Sequence, residues 1–544
     1  MPTLLIDGRS ISVPDGTTIM QAAEKLGIFI PRYCYHPGLS IAGNCRICLV
    51  EVEKFPKLQI ACNTPVAEGM VVRTRSPQVA QAQQAVLEFL LVNHPLDCPV
   101  CDQAGECDLQ NFYLQYGRYD PRFREQKVKK PKAVPLGPHV MLDAERCILC
   151  SRCVRFTDEI TQTGEFGIFN RGNRAVVGLY PGKVLDNPYS GNVVDICPVG
   201  ALTDRDFRFK ARVWYLSQSP SVCAGCAQGC NIEVHYVLNR PHLADGARVM
   251  RLKPRYNESV NRWWMCDEGR YGYGFVDRDR LRKVIHCGVE RSWEYALSEL
   301  AQRLKRFQME GRFKEVAVLA SPQLTCEDIF VIRKWWGEML HVGYLPTRIP
   351  FPLGSSDRFL IRADKNPNTA GMELILAHPP DSGQPAPIAS FEATIQAALS
   401  GTIALLWVFG IDLVKLLGEA TMERLAKQVP ELVFQGSNTN GTVRFAHWVL
   451  PSAVYLEKDG TFVNCQGRVQ RIGKVLPPLP EARADWQILL DLARRLGATW
   501  SWHSAEEIFH ALSREIPAFC GLSYADLGWE GKVLPDFQSK GRLP

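Results

Sequence analysis

The chain has 544 residues, 46% hydrophobic and 22% charged, with a formal net charge of +6, values ordinary for a soluble globular protein of about three to five domains. That charge is too small for the size to argue for nucleic acid, and no apolar run reaches membrane-spanning length; "IALLWVFGIDLVKLL" at 403–417 is short and carries Asp412 and Lys415. The start, "MPTLLIDGRSISV", has no basic region followed by an apolar core, so no secretory signal is expected, and the 19 cysteines belong to a reducing cytoplasmic setting where metal, not disulfide, is their natural use.

The first elements form a recognisable scaffold. "TLLIDGRSISV" alternates apolar and polar residues around Asp7–Gly8, which predicts a β-hairpin. "DGTTIMQAAEKLGI" follows as a helix, with Thr17 as cap and Gly27 as terminator. Hairpin, helix and then a cysteine-bearing loop is the opening of a β-grasp ferredoxin. Cys34, Cys45, Cys48 and Cys62 are spaced C-x10-C-x2-C-x13-C, with Gly43 expected close to the metal. The spacing departs from the plant-type C-x4-C-x2-C but keeps x2 and a distant fourth cysteine, so a [2Fe–2S] cluster is expected.

"SPQVAQAQQAVLEFLLVNHP" predicts a helix with Val79, Val86, Leu87, Leu90 and Leu91 on one face, broken at Pro95. His94, Cys98, Cys101 and Cys107 follow as H-x3-C-x2-C-x5-C. His94 is either an exposed helix-end residue or a ligand. This group alone lacks a fourth thiolate, and histidine can replace cysteine on iron, which favours the ligand. The basic stretch 118–132 holds seven Lys/Arg against two acids. Its cations suit the charge of an anionic cluster or a partner surface, and no nucleic-acid fold accompanies them.

The third group is Cys147, Cys150 and Cys153 in "CILCSRC", with Cys197 in "DICPVGAL". Structural zinc sites pair two short knuckles; three thiolates at x2 spacing with a remote cysteine before proline suit a [4Fe–4S] cube. The glycines and prolines of 178–192 read as turns. The fourth group, Cys223, Cys226, Cys230 and Cys266, is spaced C-x2-C-x3-C-x35-C. Fifteen cysteines and one histidine thus form four sets of four, implying one [2Fe–2S] and three [4Fe–4S] clusters. Cys287, Cys326, Cys465 and Cys520 remain as singletons, expected to be buried small hydrophobes. No G-x-G-x-x-G stands at a strand–helix junction, so neither a flavin nor a nicotinamide site is expected.

These motifs over residues 1–275 together resemble the large iron–sulfur subunits of bacterial respiratory complex I, the NADH–quinone oxidoreductase. The first half also resembles subunits of NAD-linked formate dehydrogenases and iron hydrogenases. "CAGCAQGCNIEVHY", "WMCDEGRYGYGFV" and "LPSAVYLEKDGTFVNCQGRVQR" at 450–471 resemble molybdopterin oxidoreductases. Those enzymes usually carry a lysine just after the fourth cluster cysteine, where this chain reads Asp267-Glu268-Gly269. No cysteine–histidine pair for molybdenum is evident, and no further four-cysteine set follows residue 266 for a hydrogenase cluster. A reduced domain without molybdopterin is therefore expected.

The resemblance implies an α/β multi-domain chain. Its parts are a β-grasp domain (1–78), a His/Cys [4Fe–4S] segment (79–132), a [4Fe–4S] ferredoxin-like domain (133–215), a molybdopterin-type [4Fe–4S] domain (216–275) and a reduced molybdopterin oxidoreductase-like domain (276–544). It implies an electron wire with no substrate site of its own. Electrons would enter from a partner carrying flavin and NADH, pass the [2Fe–2S] cluster, the third group and the His94 group, and leave toward quinone, while the whole complex translocates protons. The fourth group would lie off this path. The implied partners are the flavin/NADH subunit, a small [2Fe–2S] subunit, a two-[4Fe–4S] ferredoxin-like subunit and the quinone-site subunits, on the cytoplasmic face of the bacterial inner membrane, with membrane contact only indirect. The alternatives are an electron-transfer subunit of a formate dehydrogenase or hydrogenase, and a mainly structural scaffold.

Overall fold

The opening hairpin forms as its alternation requires. Thr3–Ile6 pairs antiparallel with Arg9–Ser12, and the turn places Asp7 (φ 49°) and Gly8 (φ 80°) in the left-handed region. Thr3–Ile6 also pairs in parallel with Met70–Arg73, and Leu49–Val52 and Gln59–Ile60 complete a five-stranded sheet. Helix Ile19–Lys25 packs Ile19, Met20, Ala22 and Ala23 into this sheet's core. Its cap is Thr18, not the expected Thr17. The Thr18 hydroxyl accepts from Gln21 N–H and Gln21 Oε1 accepts from Thr18 N–H, whereas the Thr17 hydroxyl donates back to Pro14 O.

The computed structural model describes residues 1–377 and 389–538, in two compact units, Met1–Leu216 and Ser217–Pro544. Residues 378–388 and 539–544 of the expected C-terminal domain lie outside the described residues. In the first unit, helix Pro77–Leu91 is capped by Ser76, and Leu87 packs with Tyr33, Ile47, Leu109 and Phe112. A three-stranded sheet of Leu202–Asp204, Val140–Leu142 and Val134–Pro135 carries the following segment, with helix Arg152–Glu159 and the hairpin Phe166–Phe169/Val176–Leu179. Gly178 and Leu179, expected in a loop, therefore belong to a strand.

The second unit begins with an antiparallel sheet of Ser217–Val222, Asn231–Tyr236 and Val249–Pro254. Its main sheet has six strands. Val316–Ala320, Leu405–Phe409, Glu431–Gly436 and Trp448–Pro451 run parallel, and the hairpin Val284–His286/Val289–Arg291 extends one edge. Val316–Ala320 and Leu405–Phe409 are buried at every position, as expected of a parallel sheet covered on both faces. The apolar run 403–417 is thus a core strand followed by the short helix Leu413–Leu417.

Buried charge ties this unit together. Arg280 meets Glu457 through two bonds, Nη1–Oε1 at 2.9 Å and Nη2–Oε2 at 2.7 Å, and neither side chain is exposed (0%). Arg248 Nη2 donates to the same carboxylate at 2.7 Å, and its Nε to Asp277 at 2.7 Å. Lys458 sits between Asp328 (2.6 Å) and Asp485 (2.8 Å).

The singleton cysteines depart from expectation. Cys326 is buried in the core, but Cys287 and Cys520 are exposed and Cys465 is half-buried. Cys287 occupies a hairpin turn (φ 48°) and Cys520 follows the turn Pro517–Phe519; at such turns the chain faces water whatever the side chain's hydrophobicity.

Candidate metal centres

The first group's four thiols act on one another electrostatically, Cys34 with Cys45 and Cys62, and Cys62 with Cys48. Cys34, Cys48 and Cys62 are buried. Arg46, between Cys45 and Cys48, adopts φ 62°, a conformation uncommon for a side-chain-bearing residue, and so turns the C-x2-C loop sharply. Gly43 (φ 62°) does not crowd the thiols: a Cβ there would lie 3.2 Å from Ile60 Cδ1.

In the third group the thiols surround a cavity. Cys147, Cys150, Cys153 and Cys197 all line one small space, closed by Leu142, Val177 and Leu202. Leu149 (φ 55°) and Ser151 (φ 59°) bend the chain between the cysteines, and Leu149 N–H donates to Cys147 Sγ at 3.4 Å. Burial raises all four thiols above the ordinary range, Cys147 to about 11 and Cys197 to about 12. Four thiols facing one space cannot all ionise without a compensating cationic partner, a charge that iron could supply.

The fourth group repeats this design. Cys223, Cys226, Cys230 and Cys266 line one small space, together with Glu268, Met265 and three glycines. Gly225 N–H donates to Cys223 Sγ at 3.4 Å, and Gly269 N–H to Cys266 Sγ at 3.3 Å. A Cβ on Gly269 would lie 2.9 Å from Cys223 Sγ, so glycine lets backbone approach sulfur. Burial raises Cys223, Cys230 and Cys266. Glu268, the acid found where the resemblance implies lysine, is met by Lys365 Nζ at 2.7 Å.

The second group is more open. His94, Cys98 and Cys107 line a wide groove with Phe89, Leu96 and Tyr113; Cys101 is not among the residues lining it. Cys101 is buried against Gly200, where any Cβ would collide with its sulfur. Burial, the largest effect, pulls the His94 imidazole down to about 4, leaving a neutral ring with a free lone pair at pH 7. His94 is thus not an exposed helix-end residue. Among the described residues, no three His, Cys, Asp or Glu side chains converge on a site for a single ion. The thiols of the third and of the fourth group each line one space.

Within the first unit the ligand loops are stitched in a defined order. Arg155 Nη2 donates to Cys34 O at 2.5 Å and to Cys150 O at 3.4 Å, and Arg152 donates to Tyr35 O (2.7 Å) and Ile196 O (2.9 Å). First and third groups are therefore neighbours. Asp108 N–H donates to Pro198 O at 3.0 Å, and Arg146 Nη2 pairs with Asp97 at 2.6 Å, which joins the third group to the second. Sequence spacing gives no sign of these arginine bridges. The basic stretch 118–132 is largely exposed, yet some of its cations are paired: Arg122 pairs with Glu88, Lys127 donates to Leu91 O and Val92 O, and Lys132 pairs with Asp97 and Glu145.

Comparison with known proteins agrees with this arrangement. Residues 1–77 match a 2Fe-2S iron-sulfur cluster binding domain, and 83–122 the NADH-ubiquinone oxidoreductase-G iron-sulfur binding region. Residues 137–203 match the ferredoxin-like domain of NADH-quinone oxidoreductase subunit 3, 216–278 the molybdopterin oxidoreductase Fe4S4 domain, and 379–495 molybdopterin oxidoreductase. The NADH-quinone oxidoreductase G subunit of Rickettsia bellii is 31% identical over 100% of this chain and 93% of its own length. The G subunit of Rickettsia felis is 42% identical over 61% of this chain, and the mitochondrial 78 kDa subunit of Neurospora crassa NADH-ubiquinone oxidoreductase 44% over 58%; these matches span 48% and 42% of the relatives' lengths. A chain of an NAD+-reducing [NiFe]-hydrogenase is 29% identical over 39% of this chain and 91% of its own, with a TM-score of 0.34. On the near-full-length match and the iron–sulfur domains it shares, the chain belongs to the family of NADH-quinone oxidoreductase G subunits.

Proposed function

We propose that the chain is an electron-carrying subunit of NADH–quinone oxidoreductase, with four ligand sets for one [2Fe–2S] and three [4Fe–4S] clusters. The first set is Cys34, Cys45, Cys48 and Cys62; the second His94, Cys98, Cys101 and Cys107; the third Cys147, Cys150, Cys153 and Cys197; the fourth Cys223, Cys226, Cys230 and Cys266. Such clusters, when bound, pass single electrons without bond chemistry. The chain's own residues hold them, exclude water and aim N–H groups at sulfur.

One observation carries the reading: Cys147, Cys150, Cys153 and Cys197 line one space, and Cys223, Cys226, Cys230 and Cys266 line another. Four thiols around one space is the donor set a thiolate-held cluster needs. The adjacency of first to third and third to second ligand loops supports transfer in that order. The partners are the flavin/NADH subunit, the small [2Fe–2S] subunit, the two-[4Fe–4S] ferredoxin-like subunit and the quinone-site subunits. The chain works on the cytoplasmic face of the bacterial inner membrane; no helix among the described residues is long and apolar enough to cross it. The domain divisions at 78, 132, 215 and 275 separate the sets.

Low-temperature EPR with iron and molybdenum analysis tests the assignment. About fourteen irons and no molybdenum per chain are expected from these sets. Roughly ten irons would remove one cube, and stoichiometric molybdenum would refute the cofactor-free C-terminal domain.

A further inference from the structure

The loop carrying Cys223, Cys226 and Cys230 is clasped from a distant part of its own unit. Ala227, inside that loop, donates its N–H to Asp364 O at 2.9 Å and accepts at its carbonyl from Cys465 N–H at 2.7 Å. Beside it, Gln228 is 1% exposed; its Oε1 accepts from Arg362 Nε at 2.8 Å and its Nε2 donates to Val260 O at 2.7 Å. Arg362 also donates to Phe359 O at 3.4 Å, so its guanidinium is held at two points. Three residues on, Lys365 pairs with Glu268, which itself lines the fourth cavity. The segment is anchored behind by Gln323, whose Nε2 donates to Lys365 O and Asn366 Oδ1, both at 3.2 Å.

We propose that segment Asp357–Asn366 sets the reduction potential of the cluster held by Cys223, Cys226, Cys230 and Cys266, with Arg362 and Lys365 as positioning cations and Glu268 as their counterweight. This rests on the cluster assignment made above. A thiolate-ligated cluster is anionic and gains negative charge on reduction, so a fixed nearby cation favours the reduced form and a fixed anion opposes it. Lys365 and Glu268 offset each other as a pair. Removing either alone exposes the other's charge, and the two removals must act in opposite directions.

The test is an EPR-monitored redox titration of the full chain, purified anaerobically with its iron. The fourth group's signal is the one lost in Cys226→Ala. Arg362→Gln and Lys365→Gln should each lower its midpoint potential, and Glu268→Gln should raise it. A change of about tenfold in the reduction equilibrium is about 59 mV for one electron. Arg362→Lys, which keeps the charge, should stay near the unsubstituted value. Iron per chain should be unchanged, because a mere packing role would move iron content and not produce opposite signs. Equal potentials in all variants, shifts of one sign for Lys365→Gln and Glu268→Gln, or an Arg362→Lys value as low as that of Arg362→Gln would each overturn the proposal while leaving the cluster assignment standing. Loss of the cluster in both Lys365→Gln and Glu268→Gln would make the segment a cover only, and overturn it too. Absence of any Cys226-dependent signal would overturn the assignment and the proposal together.

Discussion

Glu457→Gln should destabilise the second unit by about 3 kcal/mol, at the lower end of the ~3–5 kcal/mol measured when one partner of a buried ion pair is removed. Glu457 accepts four bonds: Arg280 Nη1 and Arg248 Nη2 at Oε1, Arg280 Nη2 at Oε2, and Val454 N–H at Oε2 at 3.1 Å. Glutamine keeps the volume and one acceptor oxygen but turns an amide N–H2 toward donors. It leaves Arg280 uncompensated with no exposed surface, while Arg248 retains Asp277. All tryptophans but Trp214 lie in Ser217–Pro544, so tryptophan fluorescence reports mainly on this unit. At about 2 °C per kcal/mol for a unit of this size, the melting temperature should fall by about 6 °C. Arg280→Met with Glu457→Leu should cost clearly less than the two single changes summed, because the double change leaves neither member of the pair behind. A Glu457→Gln shift under about 2 °C, or strictly additive effects, would refute the view that this pair is an interdependent buried unit.

Burial raises the Glu327 carboxyl to about 7 despite bonds from Thr461 N–H, Thr461 Oγ1 and Tyr524 OH. The folded value lies above the unfolded one, so the native state holds the extra proton. Stability from this group should therefore fall as pH rises from about 4.5 to 7 and level off above, by about 3 kcal/mol; urea midpoints in Glu327→Gln should lack that slope, and an unchanged slope refutes the attribution. His94→Cys should keep a four-iron cluster at a lower potential, since a thiolate adds negative charge, and His94→Ala should lose it; an unchanged EPR signal in His94→Ala would place the fourth ligand elsewhere. Cys226→Ala should lower stability while sparing NADH-to-quinone turnover in complexes that assemble, and near-complete loss of turnover there would put the fourth group on the electron path.

Candidate ligands group readily in the sequence because metal loops are local: C-x2-C spacing brings two or three thiols into one loop, whatever the surrounding fold. His94 enters as a candidate by subtraction, beside a group that holds three cysteines. What spacing cannot reveal is long-range. Arg152 and Arg155 read as ordinary helix residues, yet they bridge back across more than a hundred positions to Tyr35 and Cys34. Glu268 reads as an absent cation, because its partner Lys365 comes from a loop with no motif. Cys287 and Cys520 read as buried, but their turns, not their chemistry, decide exposure. The parallel strand at 405–409 lies inside an apolar run whose only interest in the bare sequence is that it is too short to span a membrane.

Arg155 has a further consequence for biogenesis. One guanidinium grips the carbonyls of Cys34 and Cys150, so the two ligand loops share a single pre-set geometry. Filling either site should order the other before its iron arrives, and the loading of the first and third groups should be cooperative. Native mass spectrometry of partly reconstituted chains would then find both sites filled or both empty, with singly filled species scarce. Arg155→Ala should let the singly filled species accumulate; a statistical distribution in the unsubstituted chain would show that the shared grip does not govern maturation.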